Sequence, residues 1–403
     1  MSDVTELFLQ YVGYDTTSQE ESDTFPSTLK QLDLLRLLKS QLDEMGLAAE
    51  MDEWGYVTAT LPTNQSAPQP VVCLLAHVDT SPAVSGKNVK ARVVAYGGGD
   101  VELAGGYVLS PEKYPHMNDY VGQHLIVTDG STLLGADDKA GVAEIMAALR
   151  FLLTHPEVKR PTIRVAFTPD EEIGAGMNHF DVKKFGADLG YTVDGGKLGE
   201  INYECFNAAA CKVRVVGKSI HPGDAYGKMV NAVDVFCEFH MALPLDERPA
   251  TTYGYKGFYM VDEVAGNVDE AVAKYILRDH DKAKLADKKA FVQGIADRLN
   301  VKYGYDAVQL EIRDQYANMA FAADEHPELV ANAKAAFEAV GVVPFVQPIR
   351  GGTDGAALTY RGLPCFNLST GGHNFHGRYE YIPVESMEKM VDMLVTLVGL
   401  FVR

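Results

Sequence analysis

Two adjacent glutamates, Glu171 and Glu172, stand in the stretch Thr168-Pro169-Asp170-Glu171-Glu172-Ile173-Gly174. Neighbouring carboxylates repel one another unless a positive charge lies between them or they point apart. A loop at a strand end can aim one inward and the other sideways. One then binds a metal ion while its neighbour takes a proton from a water held by that ion. Four other segments carry side chains suited to the same chemistry: His77 with Asp79, Asp137, Asp194 and His376. Two imidazoles and at least three carboxylates, with no thiolate, suit Zn²⁺, with Co²⁺ or Mn²⁺ as substitutes. If two ions share five side chains, one carboxylate must bridge them, and positions stay open for water and substrate. His77 and Asp79 are two apart, so on an extended segment they point the same way. Asp79 can then accept the second ring N–H of His77 and fix its tautomer. Each piece also has a plainer reading. Asp170-Glu171-Glu172 can be a solvated turn, Asp137-Asp138 a helix start favoured by acidic residues, and Asp194-Gly195-Gly196 an ordinary turn.

The elements around these residues decide between the two readings. Val71 to Ala76 is a continuous apolar run that leads into His77; Thr162 to Phe167 is β-branched and aromatic between Pro161 and Pro169; Gly190 to Val193 ends at Asp194; Cys365 to Leu368 leads toward His376. Such runs read as buried strands. Apolar-striped helices are predicted over 3–13, 26–45, 325–340 and 384–401, and an almost wholly apolar one from Gly141 to about Leu153. Strands alternating with helices predict an α/β fold, a mixed sheet flanked by helices. In an open sheet of this kind, the loops beyond the carboxyl ends of the strands gather at one edge, where ligands bind. Asp137, Glu171, Glu172, Asp194 and both histidines lie in or beside such loops. Their coincidence there favours a metal site over five unrelated turns.

Near residue 206 the pattern changes. Cys211, Val213 and Val215 alternate with Lys212 and Arg214, the mark of a sheet with one wet face. A helix over 229–242, strands over 258–266 and 272–278, a charged helix over 282–300 and a strand over 308–313 complete a β-α-β-β-α-β order. This split βαβ, or ferredoxin-like, pattern predicts a domain over 207–317 inserted into a discontinuous one made of 1–206 and 318–403. Residues 80–124, containing Gly, Pro and Tyr with weak periodicity, read as a long excursion with short strands near the mouth of the site.

The 403 residues are enough for two or three domains, and 47% hydrophobic with 23% charged content is ordinary for a globular chain. A formal net charge of −19 argues against nucleic acid and anionic membrane as partners. The five cysteines are scattered without a Cys-x-x-Cys pair, as expected for free thiols in a reducing cytoplasm. The acidic start Met1-Ser2-Asp3-Val4-Thr5-Glu6 has no basic stretch, so no signal peptide is expected, and no apolar run suggests a membrane span.

At these residues the chain resembles the dinuclear zinc exopeptidases. The resemblance is carried by His77-Val78-Asp79-Thr80-Ser81, Leu134-Gly135-Ala136-Asp137-Asp138-Lys139-Ala140-Gly141, Phe167 to Glu172, Tyr191-Thr192-Val193-Asp194-Gly195-Gly196 and Arg350-Gly351-Gly352-Thr353-Asp354-Gly355. It runs over essentially the whole chain, insertion included. It implies a catalytic domain holding two Zn²⁺, His77 and Asp194 on one ion, Glu172 and His376 on the other, and Asp137 bridging. It implies Glu171 as general base, Asp79 as the brace behind His77, and the inserted domain as a lid. It further implies His221 as a hydrogen-bonding group for the scissile carbonyl oxygen. Arg278 and Arg350 are candidates for the peptide carboxylate, which Arg binds through paired hydrogen bonds. The activity implied is release of the N-terminal residue from tripeptides; a deacylase, carboxypeptidase or dipeptidase on the same scaffold is the alternative. Lids in this family serve for dimerisation, so a homodimer is among the expected partners, although the charged helix over 282–300 marks no clear interface. His373 lies close to His376; His376 is preferred because Gly377 and Glu380 follow it at the family's spacing.

Overall fold

The computed structural model describes residues 2–403 and divides into two compact units. The larger comprises 2–203, Ala322–Gln347 and Thr353–Arg403; the smaller comprises Glu204–Phe321 and Pro348–Gly352. In the larger unit, an eight-stranded mixed sheet is built around four parallel strands, Thr162–Thr168, Val71–His77, Leu189–Gly195 and Cys365–Ser369, in that spatial order. The run Val72–His77 is buried on both faces, which explains its continuous apolar sequence. Glu50–Met51 and Val57–Leu61 extend one side of the sheet, the latter pairing antiparallel with Thr162–Thr168. Glu200–Asn202 and Phe345–Val346 extend the other. His77 pairs in register with Thr168, so the carboxyl ends of these two strands are level.

Helix Ala136–Thr154 packs on the sheet and is buried nearly all round. Gly141 lets it approach: a Cβ there would lie 1.9 Å from the carbonyl oxygen of Val193, inside any van der Waals contact. Helix and strand thus touch backbone to backbone beside Asp137 and Asp194. Helix Gln31–Glu44 buries Leu34, Leu35, Leu38 and Leu42, each such side chain contributing roughly 1.5–3 kcal/mol on leaving water. It begins five residues later than its leucine pattern predicts; the segment before it is tied down at Ser27, whose backbone N–H and hydroxyl donate to Asp170.

Three elements depart from the sequence reading. The Gly-rich turn after Arg350 runs into a short helix, Asp354–Tyr360, capped by the Thr353 hydroxyl, which accepts the Ala356 N–H at 3.1 Å. Tyr381–Pro383 is a strand that pairs with His124–Val127, and Glu200–Asn202 is another; at three residues neither shows a period. The excursion over 80–124 does carry short strands as expected, among them Arg92–Ala95, which joins the same small sheet as His124–Val127. Among the described residues no helix is long and apolar enough to cross a membrane.

The smaller unit is a four-stranded antiparallel sheet in the order Phe258–Gly266, Glu270–Asp279, Asn207–Val216, Val308–Tyr316, with helices Ala232–Met241 and Lys282–Tyr303 packed on it. Chain order and sheet order are those of a split βαβ. Ala209, Cys211, Val213 and Val215 face its core with Ala271, Ala273, Tyr275 and Leu277. Asp281 caps the longer helix by accepting the N–H groups of Ala283 and Lys284, and Gly304 ends it in the left-handed region. Pro348–Gly352 groups with this unit because the Arg350 guanidinium donates to the Gly254 and Lys256 carbonyls and the Thr252 hydroxyl.

Candidate metal centre

His77 closes its strand with a ring that is only 2% exposed. Its Nδ1 lies 3.2 Å from the Asp79 carboxylate and 3.1 Å from the Asp79 carbonyl oxygen, so Asp79 meets the ring through both main chain and side chain. The other nitrogen, Nε2, faces Asp137 Oδ1 at 3.1 Å and Asp194 Oδ1 at 3.4 Å. His376 approaches from the opposite side. Its Nε2 lies 3.0 Å from Asp137 Oδ2 and 2.9 Å from Glu172 Oε2. Asp137 therefore presents one oxygen to each imidazole. The donors fall into two groups, His77–Asp137–Asp194 and Asp137–Glu172–His376, each with its donor atoms within 4.8 Å of one another.

Several backbone devices hold this arrangement. Asp79 is fully buried, and its two carboxylate oxygens accept the N–H groups of Glu171 (3.0 Å) and Glu172 (3.2 Å). One acid thus orients the His77 ring and the main chain of both glutamates. Asp170, with φ +62°, turns that loop and is anchored by Ser27 and Gln31. Asp138 accepts the backbone N–H of His77 at 3.1 Å and that of Gly141 at 3.2 Å. His376 itself has φ +62°, a conformation that few non-glycine residues adopt, in a loop where the Asn374 amide donates to the Tyr379 carbonyl.

The electrostatics ask for cations. Burial pushes the carboxyls of Glu172 up to about 7 and Asp194 up to about 6, and the charge of Asp137 adds to both. Burial, then the charge of Asp194, drives Glu171 well above the usual range. Asp137 moves the other way, below that range: burial opposes ionisation there, but hydrogen bonds from His376 and His77 outweigh it. Those imidazoles are raised in turn, His376 to about 11 by its bonds to Asp137 and Glu172. For His77, burial alone would lower the value, and the charge of Asp194 with bonds to Asp137, Asp194 and Asp79 overcomes it. Protons on the rings here stand in for positive charge that the acids demand. The Glu172 Oε1 atom is buried and has no hydrogen-bond partner, a lone pair left for a ligand. An all-nitrogen-and-oxygen donor set around a shared carboxylate fits a pair of divalent metal ions.

Comparison with known proteins agrees with this chemistry. The model of Peptidase family M20/M25/M40 matches residues 129–399. The chain belongs to that family. It is 50% identical over 405 residues to the peptidase T of Caldanaerobacter subterraneus, covering 100% of this chain and 99% of that one. To the peptidase T of Alkaliphilus oremlandii it is 49% identical, with 100% of each chain covered. Among solved structures, the aminopeptidase PepT of Bacillus cereus aligns with a TM-score of 0.79 at 23% identity, over 100% of this chain and 98% of that one, which shows a shared fold.

The remaining candidate residues of this M20/M25/M40 peptidase lie in its smaller unit. Exposed His221 uses Nδ1 to accept the Gly223 N–H at 3.1 Å, which assigns the proton to Nε2 and leaves it free to donate. Arg278 donates to the carbonyls of Ala209 and Leu277 and lies over the Tyr316 ring. Arg350 likewise donates to two carbonyls and a hydroxyl, so each guanidinium is partly engaged within the smaller unit. His373 is drawn away from the metal-ligand groups. It takes a 2.6 Å bond with the Tyr120 hydroxyl and stacks on His116 and Tyr381.

Sequence reasoning passed over Asp138, whose position after Asp137 reads as a helix start, and Asp354. The latter is a buried acid that accepts the Thr168 hydroxyl at 3.1 Å beside Gly176, where a Cβ would collide with it. The signal for Asp138 was the doubled aspartate. For Asp354 it was the stretch Arg350 to Gly355, which carries the family resemblance without giving the acid a role.

The double duty of Asp79 makes it testable. In Asp79→Asn one carboxylate oxygen becomes an NH₂ group, which must face either a backbone N–H or the ring. A roughly 10–100-fold loss of metal affinity or activity is expected, as for other groups that orient ligands. Chelator competition checks this, with circular dichroism to show that the fold persists; unchanged affinity would refute the bracing role.

Proposed function

We propose that this chain is an aminopeptidase that releases the N-terminal residue of tripeptides, using two divalent cations. The observation that carries the reading is Asp137, with one oxygen toward each of two histidines that lie on different loops. The names of its half-identical relatives, peptidase T, support the substrate class. His77 and Asp194 would hold one ion, Glu172 and His376 the other, and Asp137 both. Zinc is the proposed metal, with Co²⁺ or Mn²⁺ able to replace it. Such ions, when bound, would supply Lewis acidity for the scissile carbonyl and lower the pKa of a bound water.

The chain's own groups account for the rest. The Glu171 carboxylate takes the proton of the attacking water and later passes it to the leaving amine nitrogen, the work of a general base turned acid. Its neighbours keep it poised: the buried, negatively charged setting favours the protonated form between the two transfers. Asp79 fixes the main chain of Glu171 and the tautomer of His77. His221 is proposed to donate from Nε2 to the carbonyl oxygen as it gains charge. Arg278 and Arg350 are proposed for the peptide carboxylate, each with part of its guanidinium already bonded within the smaller unit. The smaller unit is proposed as a lid and as the surface for pairing of two copies. A cytoplasmic setting is proposed from the cysteines, all free and all but Cys237 buried.

Incubating the purified protein with tripeptides, the matching dipeptides and N-acetylated peptides, with and without a chelator, tests the reading. Chelator-sensitive release of the first residue from tripeptides is expected. Preference for N-acylated substrates would turn the assignment to a deacylase.

A further inference from the structure

Glu380 belongs to neither group of candidate ligands, yet it is tied to both ligand loops. It is 1% exposed. Its Oε2 accepts the backbone N–H groups of Leu134 at 2.7 Å and Gly135 at 2.9 Å, and its Oε1 accepts that of Asp137 at 3.1 Å. Three backbone N–H groups of the turn that delivers Asp137 therefore end on one carboxylate. The acid sits four residues after His376, and its own N–H closes the His376 loop on the Gly377 carbonyl at 3.2 Å. The next residue, Tyr381, pairs with His373 through main-chain bonds in both directions and continues into strand Tyr381–Pro383. The base of that loop is thus fixed to sheet, and Glu380 joins it to the Asp137 turn. Lys139, fully buried two residues after Asp137, supplies the opposite charge and itself donates to the Tyr14 carbonyl at 2.8 Å.

We infer that Glu380 is a positioning residue: it sets the Asp137 carboxylate between His77 and His376 before any metal arrives. The inference rests on the reading of Asp137 and His376 as ligands. A carboxylate is required for this, because it offers two acceptor oxygens and no donor. A glutamine keeps the size but offers one oxygen. Kept at the Oε2 position, that oxygen retains the bonds to Leu134 and Gly135, and the new NH₂ group faces the Asp137 N–H, donor against donor. The fold keeps its turn and the ligand loses its anchor. A role confined to stability behaves differently, because there the conservative amide would restore most of what alanine removes.

The experiment compares wild type with Glu380→Gln, Glu380→Asp and Glu380→Ala. For each, Zn²⁺ affinity is read by competition with a chromophoric chelator, the metal-free protein is melted, and kcat and KM are measured separately on a tripeptide. The expected result for Glu380→Gln is a metal-free melting curve close to wild type, Zn²⁺ affinity weaker by about 10–100-fold, and a loss concentrated in kcat with KM little changed. Zn²⁺ affinity and kcat within twofold of wild type in a folded Glu380→Gln would overturn the inference. So would the failure of all three variants to fold, which would make the residue a requirement of the structure as a whole. If the wild type itself binds no Zn²⁺, it is the ligand assignment that fails instead.

Discussion

Glu171→Ala is expected to lower kcat by ~10²–10⁴-fold while both metal ions remain bound. The structure separates the two consequences. What anchors Glu171 is its backbone N–H, donated to Asp79, and truncation of the side chain leaves that bond in place. Neither group of candidate donors includes Glu171. Its carboxyl adds negative charge to an interior already crowded with acids, so its removal relieves repulsion. The ion pair should be retained or bound slightly better, and proton transfer alone should suffer. Elemental analysis together with steady-state rates on a tripeptide decides the matter. Near-normal turnover would show that another group moves the proton; loss of metal would show that Glu171 is a ligand.

Asp137→Ala should have the opposite signature, an enzyme without detectable activity and without its metals. Both imidazoles turn a nitrogen toward this one side chain. Its loss leaves His77 facing Asp194 and His376 facing Glu172, two incomplete sites with nothing between them. Asp137→Asn keeps the size and should still fail, since an amide holds metal poorly and cannot offer a charged oxygen to each side. Metal content measured after dialysis against a defined Zn²⁺ concentration checks this. Full occupancy in either variant would remove the bridge from the assignment.

How much of this could be read before folding depended on the range of the forces involved. The parallel strands were legible because burial on both faces demands unbroken apolar runs, and His77 and Asp194 stand where those runs stop. The smaller sheet was legible from the alternation at Cys211, Val213 and Val215. The local signal failed where a structure is too short to have a period, as at Tyr381–Pro383, or where one capping hydroxyl starts a helix, as Thr353 does. It failed most for groups whose partners are distant in the chain. Nothing near Glu380 indicates that its carboxylate will meet the N–H of Asp137, 243 residues earlier. Nothing near Ser27 shows that it will anchor Asp170, 143 residues on. Ligands announce themselves by type; the residues that aim them do so only once the chain has closed around them.

The two histidines differ in one further respect. The ring of His77 is sealed inside the body, whereas that of His376 is 47% exposed. His376 and Glu172 also border a cleft of about 720 Å³ whose other walls include Thr17, Gln19, Ser81 and Pro82. Small molecules therefore meet the ligand groups from the His376 side, while His77 and the acids around it form the closed floor of the centre.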